Sequence, residues 1–196
     1  MPSKAMLLDE DKKAIRKRLR NLCEECWIKQ GYKRTSVKIL CDKTEISIGT
    51  FYTLYPSKED LFLETIKEIQ KRLSRKFLET IRNQQTKEGF AQAMKELIRE
   101  YAGKPFLYNI NTPDFQSFAV KLPEGTMQNI KFDSFTFFGQ AVQTAKLTLK
   151  IEPSQAFGML SALLATISAK ETLSITCDFF IIYDCMTDII ISSIFE

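Results

Sequence analysis

Residues 31–61, GYKRTSVKILCDKTEISIGTFYTLYPSKEDL, leave the backbone little choice. Gly31 suits the end of a helix, and Thr35 or Ser36 can cap the start of a short one whose apolar face is Val37, Leu40 and Cys41. Glu45 and Ile46 then make a turn, and Ser47 is the next candidate cap. The helix it opens has to stop before Pro56, because the residue preceding a proline is pushed out of the α region. Ser57-x-x-Asp60 has the spacing of a capping box, with Leu61 placed to pack on the preceding turn. Two short helices therefore sit between two longer ones, each boundary marked by its own residue.

The flanking sequence is helical in period. Ile15, Leu19, Leu22, Cys26 and Trp27 recur at helical spacing from an acidic start at Asp9 to Asp11. Beyond Ser57, the series Leu61, Ile66, Ile69, Leu73, Phe77 and Ile81 predicts one long helix to about Gln84. Further helices are expected over 88–103, 113–121, 124–150, 153–173 and from Cys177 onward, with AGKPFLYNINTPDF as an irregular connector. Strand-like alternation is nowhere sustained, so the expected class is all-α.

Function classes narrow by composition. The chain contains no histidine, which removes His-based metal sites, Ser-His-Asp and Cys-His nucleophiles and the commonest general base. With no Gly-rich phosphate loop either, we expect neither an enzyme nor a cofactor. Five cysteines without a secretion-type leader argue for reduced thiols in a cytoplasmic protein, and the Cys23-x-x-Cys26 pair falls in a helix as small apolar packing. The apolar tail CDFFIIYDCMTDIIISSIFE carries Asp178, Asp184 and Asp188, each costly in a bilayer, so no membrane span is expected. Net charge is +4 but unevenly placed: residues 1–60 hold 13 Lys and Arg against 9 Asp and Glu, whereas residues 105–196 hold 5 against 9. A basic N-terminal half suits a polyanion.

Two short helices joined by a tight turn and braced by a longer one make a helix-turn-helix, whose second helix packs one arc inward and turns small polar groups toward a major groove. At 100° per residue, Phe51 and Tyr55 fall on one arc with Ile48 and Tyr52 at its edges, while Gly49, Thr50 and Thr53 point away. This region resembles the DNA-binding domain of TetR-family transcriptional regulators. Gly31, Tyr32, Thr35, Ser36, Val37, Leu40, Ser47, Gly49, Thr50, Phe51, Tyr52, Tyr55 and the run Ser57 to Leu61 fit that pattern in order and spacing, over about residues 10–62.

The resemblance implies a homodimeric all-α repressor: an N-terminal three-helix helix-turn-helix domain (1–56) binding a double-stranded DNA operator, then a helical ligand-binding and dimerisation domain (57–196). It also implies a DNA-contacting set of Thr35, Ser36, Ser47, Ile48, Gly49, Thr50, Tyr52, Thr53 and Lys58. Thr35, Tyr52 and Lys58 would hold phosphates, and Ile48, Gly49, Thr50 and Thr53 would face bases. Three departures from the pattern stand out. Glu45 occupies the turn glycine, Leu54 an often aromatic or His position, and Ile48 a commonly polar one. The reading helix offers no Arg, Asn or Gln, so its methyls and hydroxyls suit a T- and A-biased site.

In the C-terminal half, Phe106, Phe115, Phe118, Phe132, Phe135, Phe137 and Phe138 are dense enough to line a cavity for a small hydrophobic effector, with Phe118, Phe135 and Phe138 as candidate lining residues. They could equally fill a core. The last two helices have apolar arcs wider than one core needs, so Leu160, Leu164, Ile182, Met186, Ile189 and Ile190 are expected at a two-fold interface. The competing function is a ligand-binding or protein-interaction module whose helix-turn-helix no longer reads DNA.

Overall fold

The structure is a computed structural model that describes residues 8–175 and 177–196. Side chains of residues 127–133 lie outside the described set, and with them that of Phe132. Helices follow one another as α1 (Asp9–Arg34), α2 (Val37–Thr44), α3 (Ile48–Leu54), α4 (Lys58–Asn83), α5 (Lys87–Ala102), α6 (Pro113–Ala119), α7 (Thr126–Ala145), α8 (Pro153–Ala165), α9 (Lys170–Leu173) and α10 (Phe179–Ile194). The described residues contain no strand, and the fold is all-α, as the periodicity predicts.

The chain divides into two compact units. The first is the chain through Ile69 together with Ile110–Leu122; the second is Gln70–Asn109 with Pro123–Glu196. This differs from the expected division after residue 56: the first turns of α4 and the whole of α6 belong to the N-terminal unit. Sequence proximity had no means of assigning α6, because its partners lie some eighty residues upstream.

In the first unit, α1 packs on α2 and on α6, and α2 packs on α3. Its centre is aromatic: Trp27 lies 4.6 Å from the Phe62 ring and 5.2 Å from Phe118, and Tyr32 meets Phe62 edge-on at 5.0 Å. Such ring pairs contribute about 0.5–1.5 kcal/mol each beyond the area they bury. Cys23, Cys26 and Cys41 are buried among them as free thiols, and burial pushes Cys23 up to about 12, far from the reactive thiolate range.

The end of α1 is not a simple stop. Gly31 takes φ 82°, ψ 173°, and a further helical turn resumes through Arg34. The break frees the amides of Tyr32 and Lys33, which donate to the Asp114 carboxylate of α6 at 2.7 and 3.0 Å. A Cβ on residue 31 would stand 2.8 Å from that carboxylate, so glycine is required for both backbone angle and space. Ser36 and Ser47 cap α2 and α3 through Ile39 N and Thr50 N. Ser57 Oγ accepts from Asp60 N, and Asp60 in turn receives the Ser57 hydroxyl rather than reaching its amide.

The second unit has its own core, built from α4's later turns, α5, α7, α8 and α10, and centred on Phe77, Phe90, Ile98, Leu163, Tyr183 and Phe195. Helices α5 and α10 are bound along an edge by ions as well as by apolar packing. Arg99 grips Asp184 with both amines, at 3.1 and 2.8 Å, and Lys95 meets Asp188 at 2.6 Å. Of the aspartates that argue against a membrane span, Asp184 and Asp188 are thus paired and Asp178 caps α10 through Phe180 N, and among the described residues no helix is long and apolar enough to cross a membrane. The helix expected over 153–173 is interrupted: after Ala165 the chain tightens into a 3-10 turn, Thr166–Ala169, where the Thr166 hydroxyl bonds the Leu163 carbonyl.

Two backbone substitutions of opposite sign test this description. Gly31→Ala lowers the urea-derived unfolding free energy by roughly 2–3 kcal/mol, since it forces an L-residue into a disfavoured region against Asp114. Glu45→Gly raises it by about 0.5–1 kcal/mol, because Glu45 sits left-handed at φ 56°. Native thiol titration labels Cys177, which is exposed, while Cys23, Cys26 and Cys41 react only once the chain unfolds.

Candidate functional site

Helices α2 and α3 meet through a turn whose hinge residue is Glu45, left-handed at the α2 C-cap with its N–H on the Cys41 carbonyl. The Thr44 hydroxyl is buried and donates to the Leu40 carbonyl at 2.6 Å, sealing the same turn from inside. Helix α3 is then anchored by Phe51, Leu54 and Tyr55, all buried. Leu54 therefore serves as core, and its carbonyl receives Arg16 of α1 at 2.6 Å while the Arg16 guanidinium lies over the Tyr55 ring. A seven-residue helix of low intrinsic stability is held by tertiary contacts on one side, leaving the other free.

That free side carries most of the expected contact residues. Ile48 and Tyr52 are 49% and 52% exposed, and Gly49, Thr53, Ser47 and Ser36 are exposed as well. Thr50 is half-buried, its hydroxyl 2.9 Å from that of Ser47. Thr53 returns its proton to the Gly49 carbonyl at 2.9 Å, which presents oxygen lone pairs and a methyl outward. The surface is small, capped and uncharged.

Two expected phosphate contacts are placed elsewhere. Thr35 is fully buried; its hydroxyl donates to the Gly31 carbonyl at 2.8 Å and its amide to the Tyr32 carbonyl, so it closes the kink of α1 and has nothing left to offer a phosphate. Lys58 does not reach outward. Its ammonium donates to the Tyr32 carbonyl at 2.7 Å and sits 3.7 Å from the centre of the Tyr32 ring, a cation–π contact. Loss of water on burial holds Lys58 below its usual pKa, against the pull of Glu59. Among the basic side chains exposed in this unit, Lys33, Arg34, Lys38 and Lys43 lie on or next to α2. The excess of Lys and Arg over residues 1–60 signals them only as a group, since charge counts do not say which cations a core recruits.

Around Tyr32 the charges interlock. The Tyr32 hydroxyl donates to Glu59, which also pairs with Lys121 beyond α6 at 3.2 Å. Burial works to raise the Glu59 carboxyl, but the bonds from Tyr32 and Lys121 outweigh it and its pKa is lowered. The cluster ties α1, α4 and the α6 segment together within the first unit.

The second unit holds a cavity of about 200 Å³, partly open to solvent. Leu73 and Phe77 of α4, Phe90, Met94 and Leu97 of α5, Phe137, Phe138 and Ala141 of α7, and Phe157, Leu160 and Leu164 of α8 form its apolar walls. Gln70, Ser74, Tyr101, Ser134 and Ser161 add polar atoms. Of the three phenylalanines expected here, Phe138 lines the cavity. Phe118 does not: it is wholly buried in the first unit against Trp27 and Tyr32. Phe135 is 41% exposed and meets the Phe157 ring edge-on without lining the space. Helical period separates inward from outward faces, but it does not say which core a ring enters.

The expected interface set divides in the same way. Leu160 is buried and Leu164 half-buried, both on the cavity wall, because α8 turns Phe157, Leu160 and Leu164 inward and leaves Gly158, Met159 and Ala162 outside. On α10, Ile189 is 69% exposed, while Ile182, Met186 and Ile190 are half-buried. The fully outward stripe is Ile181, Cys185 and Ile189, one turn apart each time.

Residues 23–65 match the family model described as bacterial regulatory proteins, tetR family. No curated protein matches the chain. Among solved structures, a protein described as a TetR-family transcriptional regulator from Mesorhizobium loti is 16% identical, with 93% of this chain and 95% of that one covered at a TM-score of 0.63. The transcriptional regulator FadR from Bacillus subtilis, in complex with stearoyl-CoA, is 14% identical, covering 90% and 98% at 0.62. SmeT, in a complex with triclosan, is 16% identical, covering 93% and 92% at 0.61. At these identities the likeness is one of fold.

Proposed function

We propose that this chain, whose N-terminal helix-turn-helix is of the tetR-family type, is a transcriptional regulator that binds a double-stranded DNA operator as a homodimer and releases it on taking up a small apolar effector. The observation that carries the reading is helix α3: capped by Ser47, anchored by Phe51, Leu54 and Tyr55, and bare on the face of Ile48, Gly49, Tyr52 and Thr53. A helix braced on one side and free on the other is what a major groove accepts.

Within this reading the contacts divide by chemistry. Ile48, Gly49, Thr50 and Thr53 face the bases, where methyl groups and hydroxyls favour T- and A-rich half-sites. Tyr52, Ser36 and Ser47 contact the backbone, and Lys33, Arg34, Lys38 and Lys43 take the phosphate-neutralising part first expected of Thr35 and Lys58. The two reading helices of a dimer must lie about one duplex turn, roughly 34 Å, apart or at a multiple of that spacing. Helix α4 supplies Leu61 and Phe62 to the first unit and Leu73 and Phe77 to the cavity wall, so an effector that favours one setting of α4 changes DNA affinity. Its leverage equals its differential affinity for the two settings. The complexes of SmeT with triclosan and of FadR with stearoyl-CoA support a ligand-binding role for a fold of this kind.

Salt titration of binding to a selected duplex tests this. The wild-type affinity falls steeply with salt, and Lys38→Met reduces the slope of log K against log salt by about 1, as loss of one phosphate contact requires. Lys58→Met leaves the slope unchanged while lowering thermal stability. A shallow slope with no preferred site would instead favour the ligand-binding module. Ile189→Arg, on the outward stripe of α10, converts the dimer to monomer in sedimentation velocity at micromolar concentration without loss of helicity.

A further inference from the structure

The cavity of the second unit says more about its occupant than size. Among the described residues no Lys, Arg, Asp or Glu lines it. An ion set against these described walls gives up part of its water and meets no countercharge among them, which is unfavourable. The described walls thus suit an uncharged group better than a phosphate, a carboxylate or an ammonium.

The polar atoms are few. Gln70 and Ser74 stand one turn apart on α4, and Ser161 lies on α8. Tyr101, half-buried at the end of α5, brings a phenol to the lining, and burial raises its pKa. The volume, about 200 Å³, exceeds the roughly 150 Å³ apolar cavity that suffices for benzene.

We propose that this cavity binds a small uncharged organic molecule, one substituted ring or a short chain, carrying a single hydroxyl or carbonyl that hydrogen-bonds Tyr101. The proposal deepens the regulator reading and rests on it for the cavity being an effector site. Phe77, Phe90, Phe137 and Phe157 supply the apolar contact, and Tyr101 sets the orientation.

Four matched probes test it by calorimetry and thermal shift on the full chain at pH 7: 4-propylphenol, propylbenzene, 4-propylbenzoate and 4-propylbenzylamine. The phenol is expected to bind at least tenfold more tightly than either ion. Tyr101→Phe is expected to weaken the phenol about five- to tenfold and to leave propylbenzene unchanged. Benzoate or benzylamine binding as tightly as the phenol overturns the uncharged class while leaving the regulator reading intact. An equal loss for phenol and propylbenzene in Tyr101→Phe overturns the orienting role of Tyr101. If no probe binds at millimolar concentration while ligand-free protein still binds its operator, the cavity is not the effector site. If probes bind as expected but ligand-free protein shows no site-selective DNA binding, the regulator reading fails and the ligand class stands.

Discussion

The Asp114 carboxylate, accepting the two amides released at Gly31, is the contact on which the first unit turns. A helix that breaks mid-course exposes N–H groups that must be paired or solvated, and here a side chain from some eighty residues later pairs them. Hydrogen bonds to a charged acceptor are worth about 1.5–3 kcal/mol, more than neutral ones. The pairing fixes the last turn of α1, the start of α2 and the position of α6 at once. Thr35 belongs to the same device, because its buried hydroxyl satisfies the Gly31 carbonyl on the opposite side of the break.

Around this joint the unit spends its charged residues on itself. Lys58, Glu59 and Lys121 converge on Tyr32, and Arg16 and Arg20 converge on Glu64 beneath α3. Helix α3 is left neutral, with its polar side chains reduced to hydroxyls. Rigidity at the base and a short, capped, uncharged helix at the tip are two aspects of one allocation of side chains.

Much of this was legible in sequence. Ser36, Ser47, Ser57 and Pro56 mark boundaries that depend on neighbours a few residues away, and those boundaries are where the local chemistry puts them. The inward arc of α3 follows from period alone, except that Leu54 joins it. What sequence does not carry is the identity of distant partners. Thr35, Lys58 and Phe118 each look available until Gly31, Tyr32 and Trp27 are brought against them. Leu160 is similar: its face is apolar in either role, and only the arrival of α4 and α5 makes it wall rather than surface. Glu45 is the reverse case, a residue that local propensity disfavours and the turn holds left-handed regardless.

The void in the second unit also has a volumetric meaning. Unfolding eliminates internal empty space, so compression favours the unfolded chain in proportion to the voids it removes. The cavity beside α4, about 200 Å³ and partly open to solvent, adds to that effect only where its apolar walls hold no water. A molecule that fills it takes that contribution away, so occupancy is written into the response of the protein to pressure as well as into its affinities.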